Sequence, residues 1–176
     1  MRDDLIIRRD RPSDVEATER LHDDAFGAPE GRGESLEREL VRGLRRDGDV
    51  IDELTFVAEV EGEVVGHVVC SRGRLGERAS IGLGPLAVRP DHQRQGIGAA
   101  LMMAVIASAD RVWEPVIVLL GEPDYYGFFG FVPASDLGIG SPGPWPDRYF
   151  QALALRAWSP DRAGDFRYAA AFDRLG

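Results

Sequence analysis

The stretch ASIGLGPLAVRPDHQRQGIGAALM, residues 79–102, constrains this chain more than any other. Its first half has the composition of a strand, yet Gly82, Gly84 and Pro85 interrupt it. Glycine and proline inside a strand mark a bulge, or a place where something approaches the backbone closely. Its second half turns on Gly96 and Gly98, behind Gln93 and Arg94, and runs into small apolar residues as far as Ala109, which predicts a helix. A broken strand feeding a glycine turn at a helix start suits an anion. The N–H groups of the first turn, from Arg94 to Ala99, converge on it, and the missing side chains let it come near. The helix dipole contributes roughly 0.3–1 kcal/mol per charge at an exposed end, and Arg94 can add a charge-assisted bond.

Two familiar phosphate cradles fail on spacing. A dinucleotide fingerprint needs a third glycine where Leu101 stands, and a nucleotide-binding P-loop needs a G-K-[ST] tripeptide that is absent. An ordinary glycine-rich turn from strand to helix is equally compatible with these few residues. The rest of the chain is acidic: 21 basic against 30 acidic residues give a formal net charge of -9. Such a field repels nucleic acid and anionic membrane surfaces, and the arginines of RRDR (8–11) and LRRDG (44–48) are interleaved with acids. Any anion is therefore held by local geometry against the global charge.

With 176 residues, 44% of them hydrophobic, the expectation is one domain spanning residues 1–176. Cys70 is the only cysteine, so no internal disulfide is possible, and one cysteine with three histidines does not make a structural zinc site; no metal is expected. Cys70 follows HVV and reads as a small core residue. MRDDLIIRRD lacks the apolar stretch of a signal peptide and no run reaches the length of a membrane span, which points to a cytoplasmic protein.

The periodicities predict a strand at 5–8, a helix opened by a capping box between Ser13 and Glu16, and a second helix through Leu36, Leu40 and Leu44, closed near Gly48. A hairpin of 54–60 and 63–73 follows around Glu61-Gly62, then the interrupted strand, the helix 98–109 and a wholly apolar strand at 116–121. After a turn or two of helix and a Gly/Pro-rich loop at 138–148, YFQALALRAW (149–158) is expected to be the final strand. The order is βααβββαβ, short helix, β: a mixed α/β sheet.

GPLAVRPDHQRQGIGAALM resembles the acetyl-CoA-binding motif of the GCN5-related N-acetyltransferases (GNAT), V-x-P-x-x-[QR]-x-x-G-x-[GA], through Val88, Pro90, Gln93, Gly96 and Gly98. VVGHVVCS (64–71) is similar to the family's preceding central strand and YYGFFGF (125–131) to its closing element. LLGEPDYYGFFGFVPA is most similar to the YhbS-type predicted acetyltransferases, with one departure at Phe128, where that element often carries a basic residue. The resemblance implies a mostly antiparallel sheet splayed between its fourth and fifth strands, with helices on both faces. The pantetheine arm of acetyl-CoA would lie in the opening, against the main chain of Leu86, Ala87 and Val88. Its pyrophosphate would meet Gln93, Arg94, Gln95, Gly96, Ile97, Gly98 and Ala99.

The resemblance also implies transfer of an acetyl group from acetyl-CoA to an amine by direct attack. Tyr126 matches the general acid and would also touch the cofactor. A phenol with a pKa near 10 is above a thiol near 8.5, so full proton transfer would be uphill by about 2 kcal/mol. Tyr126 must then have a depressed pKa or serve mainly as a hydrogen-bond donor. A lysine-like acceptor costs more than about 4 kcal/mol to deprotonate at neutral pH and an α-amine about 1. Glu122, Asp124 and His67 are the candidate bases, beside relay through water. The acceptor pocket is expected between His22–Glu34 and the loop 133–148, with Asp23, Asp24 and Glu30 as possible partners of a cation and Trp145 as a wall or lid. A catalytically silent acyl-CoA-binding sensor is the alternative, and an apolar edge at Phe150–Leu155 could pair two copies as a homodimer.

Overall fold

A computed structural model describes residues 4–175; the first three residues of MRDDLIIRRD, and Gly176, lie outside the described residues. Strand β1 (Leu5–Arg9) leads into a 3-10 turn, Pro12–Asp14, and then helix α1 (Val15–Phe26). The expected box between Ser13 and Glu16 does not form. Pro12 opens the turn early, so the reciprocal cap moves two residues back: the Asp14 carboxylate accepts from the Arg11 N–H at 2.9 Å and from both ends of the Arg8 guanidinium at 2.7 and 3.0 Å. Glu16 pairs with Arg20 on the surface instead. Helix α2 (Leu36–Asp47) starts where Ser35 accepts from the Arg38 N–H and stops at Gly48, which is left-handed at φ 77°.

β2 (Phe56–Val60) and β3 (Glu63–Leu75) form the hairpin, turning on Glu61 and Gly62, both at positive φ. β4 (Arg78–Val88) follows, then α3 (Ile97–Arg111) and β5 (Val116–Leu120). α3 buries Ile97, Leu101, Met102, Val105 and Ala109 on one face. It lies close on the sheet because Gly66 has no side chain: a Cβ there would stand 3.0 Å from Ala58, Ile97 and Leu101. The two sheet faces separate along β3 by simple alternation. Val68 and Cys70 pack in the α3 core, whereas Val69 packs on Leu40, Val41 and Leu44 of α2.

The remaining elements are short: α4 (Pro123–Tyr126), β6 (Val132–Pro133), β7 (Ile139–Gly140), β8 (Phe150–Ala154), β9 (Gly164–Arg167) and α5 (Ala170–Asp173). The sheet order is β1-β2-β3-β4-β5-β8-β6, antiparallel except for β4 and β5, with β9 joined to the end of β3 and parallel to β7. The mixed, mostly antiparallel sheet with helices on both faces is as expected. Two corrections concern the C-terminus. The strand expected to be last ends at Ala154: the Leu155 N–H still reaches the Pro115 carbonyl, but Pro115 has no N–H to return, and β9 and α5 follow it. Phe150–Ala154 is also no free edge: β8 lies between β5 and β6, with Phe150, Gln151 and Ala152 buried, so the proposed homodimer pairing has no edge to use there.

Candidate active site

β4 and β5 are in register at two positions only, Ile81 with Ile117 and Gly82 with Val118, and then diverge. The cause is in β4. Val68 is opposite Leu86 and Cys70 opposite Leu83, so Gly84 and Pro85 together face the single residue Val69, a bulge that turns the strand. Past the bulge Leu86, Ala87 and Val88 remain paired with β3, while their other edge meets no strand among the described residues.

The chain then turns through Pro90–His92 into α3. Arg94 and Gly96 both have left-handed backbones, at φ 58° and 83°. The first helical bond is from the Ala100 N–H to the Gly96 carbonyl, which leaves the N–H groups of Ile97, Gly98 and Ala99 without an intrahelical partner. Gln93 and Gln95 hold the turn together through their side-chain amides, which donate to the Val88 and Asp91 carbonyls at 3.0 and 3.1 Å. The arginine at the turn, Arg94, is exposed and forms no ion pair among the described residues.

These pieces enclose a cavity of about 380 Å³. Leu86 and Val88 supply the strand side, Gln93 and Arg94 the turn, and Gly96, Ile97, Gly98 and Ala99 the helix start. Ala87 is buried between its two lining neighbours, and Gln95 is outside the wall. The tyrosine in the wall is Tyr125, not Tyr126. Gly98 is what admits it, since a Cβ there would stand 2.7 Å from the Tyr125 hydroxyl.

A model of the acetyltransferase (GNAT) family matches residues 15–116, from the first residue of α1 to the first of β5. The chain belongs to this family. The uncharacterized N-acetyltransferase YjhQ of Escherichia coli K12 is 33% identical over 122 residues, covering 66% of this chain and 67% of YjhQ. Among solved structures, the GNAT family N-acetyltransferase YhbS of Escherichia coli in complex with CoA superimposes with a TM-score of 0.85 at 27% identity, over 98% of this chain and 93% of YhbS. A GNAT family acetyltransferase from Brucella melitensis in complex with acetyl-CoA gives a TM-score of 0.78 at 33% identity, over 96% and 98% of the two chains. The likeness to YhbS-type proteins thus extends over almost the whole fold.

In this GNAT domain Tyr126 ends α4 with its ring pressed on Gly121, where any Cβ would collide with it, and edge-on to Phe131 and Tyr125 at 5.9 and 4.9 Å. Burial, with Tyr125 beside it, pushes the Tyr126 phenol up to about 12. Burial thus raises this phenol rather than depressing it, and leaves the hydroxyl neutral in this fold. Its hydroxyl has no hydrogen-bond partner among the described residues. Sequence reading missed Gly121, although a glycine directly after a wholly apolar strand signals that something packs where a side chain would be. Glu122 and Asp124 are exposed, and the Glu122 carbonyl accepts from the Tyr125 and Tyr126 N–H groups at the start of α4. Phe128 is 83% exposed.

His67 lies elsewhere. Opposite Ala87 in β3, it faces α1, where its Nδ1 is 2.9 Å from His22 Nε2, and its Nε2 is 3.5 Å from Asp10 Oδ2. Asp10 also accepts from Arg45 at 2.8 Å. Burial pushes His22 down to about 3, helped by His67 and Arg45, and lowers His67 as well. Burial opposes the charge on Asp10, but His67 and Arg45 outweigh it and hold the carboxyl at about 2. Both imidazoles are thus neutral and engaged within the fold, which sets His67 apart from the exposed acids as a base. Nothing in the sequence joined residues 10, 22, 45 and 67; only packing of α1 and α2 on the sheet does.

A larger cavity, about 910 Å³, opens between the start of α2, the end of β5, the loop 142–145 and the C-terminal segment. Trp145 lines it, as expected of the loop, and so do Leu36 and Leu40, just past the expected His22–Glu34. Asp23 is not free for a cation: it accepts from the Ser35 N–H at 2.8 Å and from Arg38 at 2.5 Å. Asp24 lines a separate cavity with Arg8, Arg20 and Arg89. Among the described residues no cluster of three or more His, Cys, Asp or Glu could hold a metal ion, and no helix is long and apolar enough to cross a membrane.

Proposed function

We propose that this protein is an acetyl-CoA-dependent N-acetyltransferase acting on an amine by direct attack. The observation that carries this reading is the unpaired edge of Leu86–Val88 opening, within one cavity, onto the unused N–H groups of Ile97, Gly98 and Ala99. An arm bearing amides suits that edge as a missing strand, and a pyrophosphate suits the helix start beside Arg94. The CoA and acetyl-CoA carried by the two solved relatives support this choice of ligand.

In the proposed reaction the neutral acceptor nitrogen attacks the thioester carbonyl. A C–N bond forms, the C–S bond breaks, and the nitrogen loses its proton to Glu122 or water. With its phenol near 12, Tyr126 keeps its proton. Giving it up to a thiolate of pKa near 8.5 would be uphill by about 5 kcal/mol, so Tyr126 acts by hydrogen-bonding the departing sulfur. The testing experiment is calorimetric titration with acetyl-CoA, followed by thiol release against amines. Binding and amine-dependent release are expected. Absence of binding overturns the reading; binding without turnover on any amine favours the silent sensor.

A further inference from the structure

Resting on that reading, we propose that the 910 Å³ cavity is the acceptor site and that the acceptor is a small primary amine on a flat apolar body, an arylalkylamine in class. The cavity adjoins the splay. Leu120, in its wall, is two residues past Val118, the last β5 residue paired with β4, and precedes Gly121, on which the Tyr126 ring rests. Its walls are apolar and aromatic: Leu36 and Leu40 from α2, Leu120 from β5, Trp145 from the loop, and Tyr168 with Phe172 from the C-terminal segment. A volume of this order suits a single small ligand rather than a protein surface.

The aromatic walls are already in place. Trp145 folds over Gly143, where a Cβ would stand 2.8 Å from its ring, and is stacked on Phe150 at 6.3 Å. Tyr168 lies over Gly82, where a Cβ would stand 2.9 Å from its ring, and is stacked on Phe172 at 4.3 Å. Flat faces held this way select flat apolar partners. Charge argues the same way. The lining holds one cation and one anion, Arg167 and Asp173. Among the described residues most acids around the start of α2 are bound to arginines: Glu19 and Glu34 to Arg42, Asp23 to Arg38 and Glu39 to Arg32, with Glu37 the exception. A polycation would find no surplus of carboxylates here, in spite of the acidic composition.

The test measures acetyl-CoA-dependent thiol release with 2-phenylethylamine, hexylamine, ethanolamine and spermidine, on the native protein and on Trp145→Ala and Leu36→Glu. Leu36 is half-buried and Trp145 exposed, and circular dichroism with acetyl-CoA titration verifies that fold and cradle persist. The inference requires kcat/KM for 2-phenylethylamine to exceed that for ethanolamine by about tenfold or more, since the ring is what the walls bury. In both variants KM for 2-phenylethylamine should rise, with acetyl-CoA affinity unchanged. Preference for spermidine or ethanolamine, or unchanged KM in both variants, overturns the acceptor class while the transferase reading stands. Acetyl-CoA binding without turnover on any of the four also overturns it. Failure to bind acetyl-CoA at all is instead a failure of the transferase reading.

Discussion

Replacing Tyr126 by phenylalanine removes one hydroxyl and leaves the ring where it packs on Gly121 and Phe131. That hydroxyl has no hydrogen-bond partner among the described residues, so its loss should not lower stability, and Tm is expected to stay within about 2 °C. A hydrogen bond to a charged acceptor contributes about 1.5–3 kcal/mol, which sets the expected fall in kcat at roughly 10- to 100-fold, with acetyl-CoA affinity unchanged. The pH profile provides the sharper criterion. A phenol near 12 remains protonated throughout the working range, so kcat/KM should rise with deprotonation of the acceptor amine and show no falling limb below pH 10 that depends on Tyr126. Steady-state thiol release from pH 6 to 10, on both proteins, measures this. A falling limb between pH 7 and 9 that disappears in Tyr126→Phe would mean that the phenol ionises in that range and would refute the donor role.

Three further outcomes follow from the same geometry. Gly96→Glu forces a side chain into a left-handed backbone and sets a carboxylate at the helix start, so acetyl-CoA binding should be lost; Arg94→Ala, which removes a cation without an ion pair, should weaken it about 3- to 10-fold, less at high salt, both by calorimetry. Gly121→Ala should displace the Tyr126 ring and lower kcat at least as far as Tyr126→Phe, with a smaller effect on acetyl-CoA affinity, measured by calorimetry, because Tyr125, edge-on to Tyr126, also lines the cradle. His22, lowered to about 3, binds a proton less readily folded than unfolded, so its stabilising contribution is complete above about pH 6.5 and is lost as pH falls toward 3. Between pH 7 and 5 that loss is about 2 kcal/mol, or roughly 4–8 °C in Tm, and His67 shifts in the same direction. Equal Tm at pH 7 and 5 by scanning calorimetry would contradict the buried neutral pair, and His22→Gln should flatten the slope.

Legibility followed locality. The cradle was readable because its signals are adjacent in the chain: an interrupted strand, a turn with two glycines, and a helix of small residues. Eight of the residues named for it line one cavity, whereas Ala87 and Gln95 are displaced by strand alternation and by a local bond that no motif displays. The cap of α1 was misplaced by two residues because Pro12 and the Arg8–Asp14 fork compete with an equally plausible serine. The C-terminal β9 and α5, four residues each, are too short to nucleate on their own and exist through contact with β3 and α2.

By itself the sequence determined the order of the major elements, the bulge at Gly84-Pro85 and the glycine turn at the start of α3, because backbone constraints at glycine and proline and the period of apolar residues act within a few positions. Only the tertiary structure decided which tyrosine lines the cradle, that β8 is an interior strand, that Asp10, His67 and His22 meet in the interior, and that an aromatic cavity opens beyond Leu120. Each of those depends on residues far apart in the chain. Their meeting is set by how helices and strands pack, which no local pattern encodes.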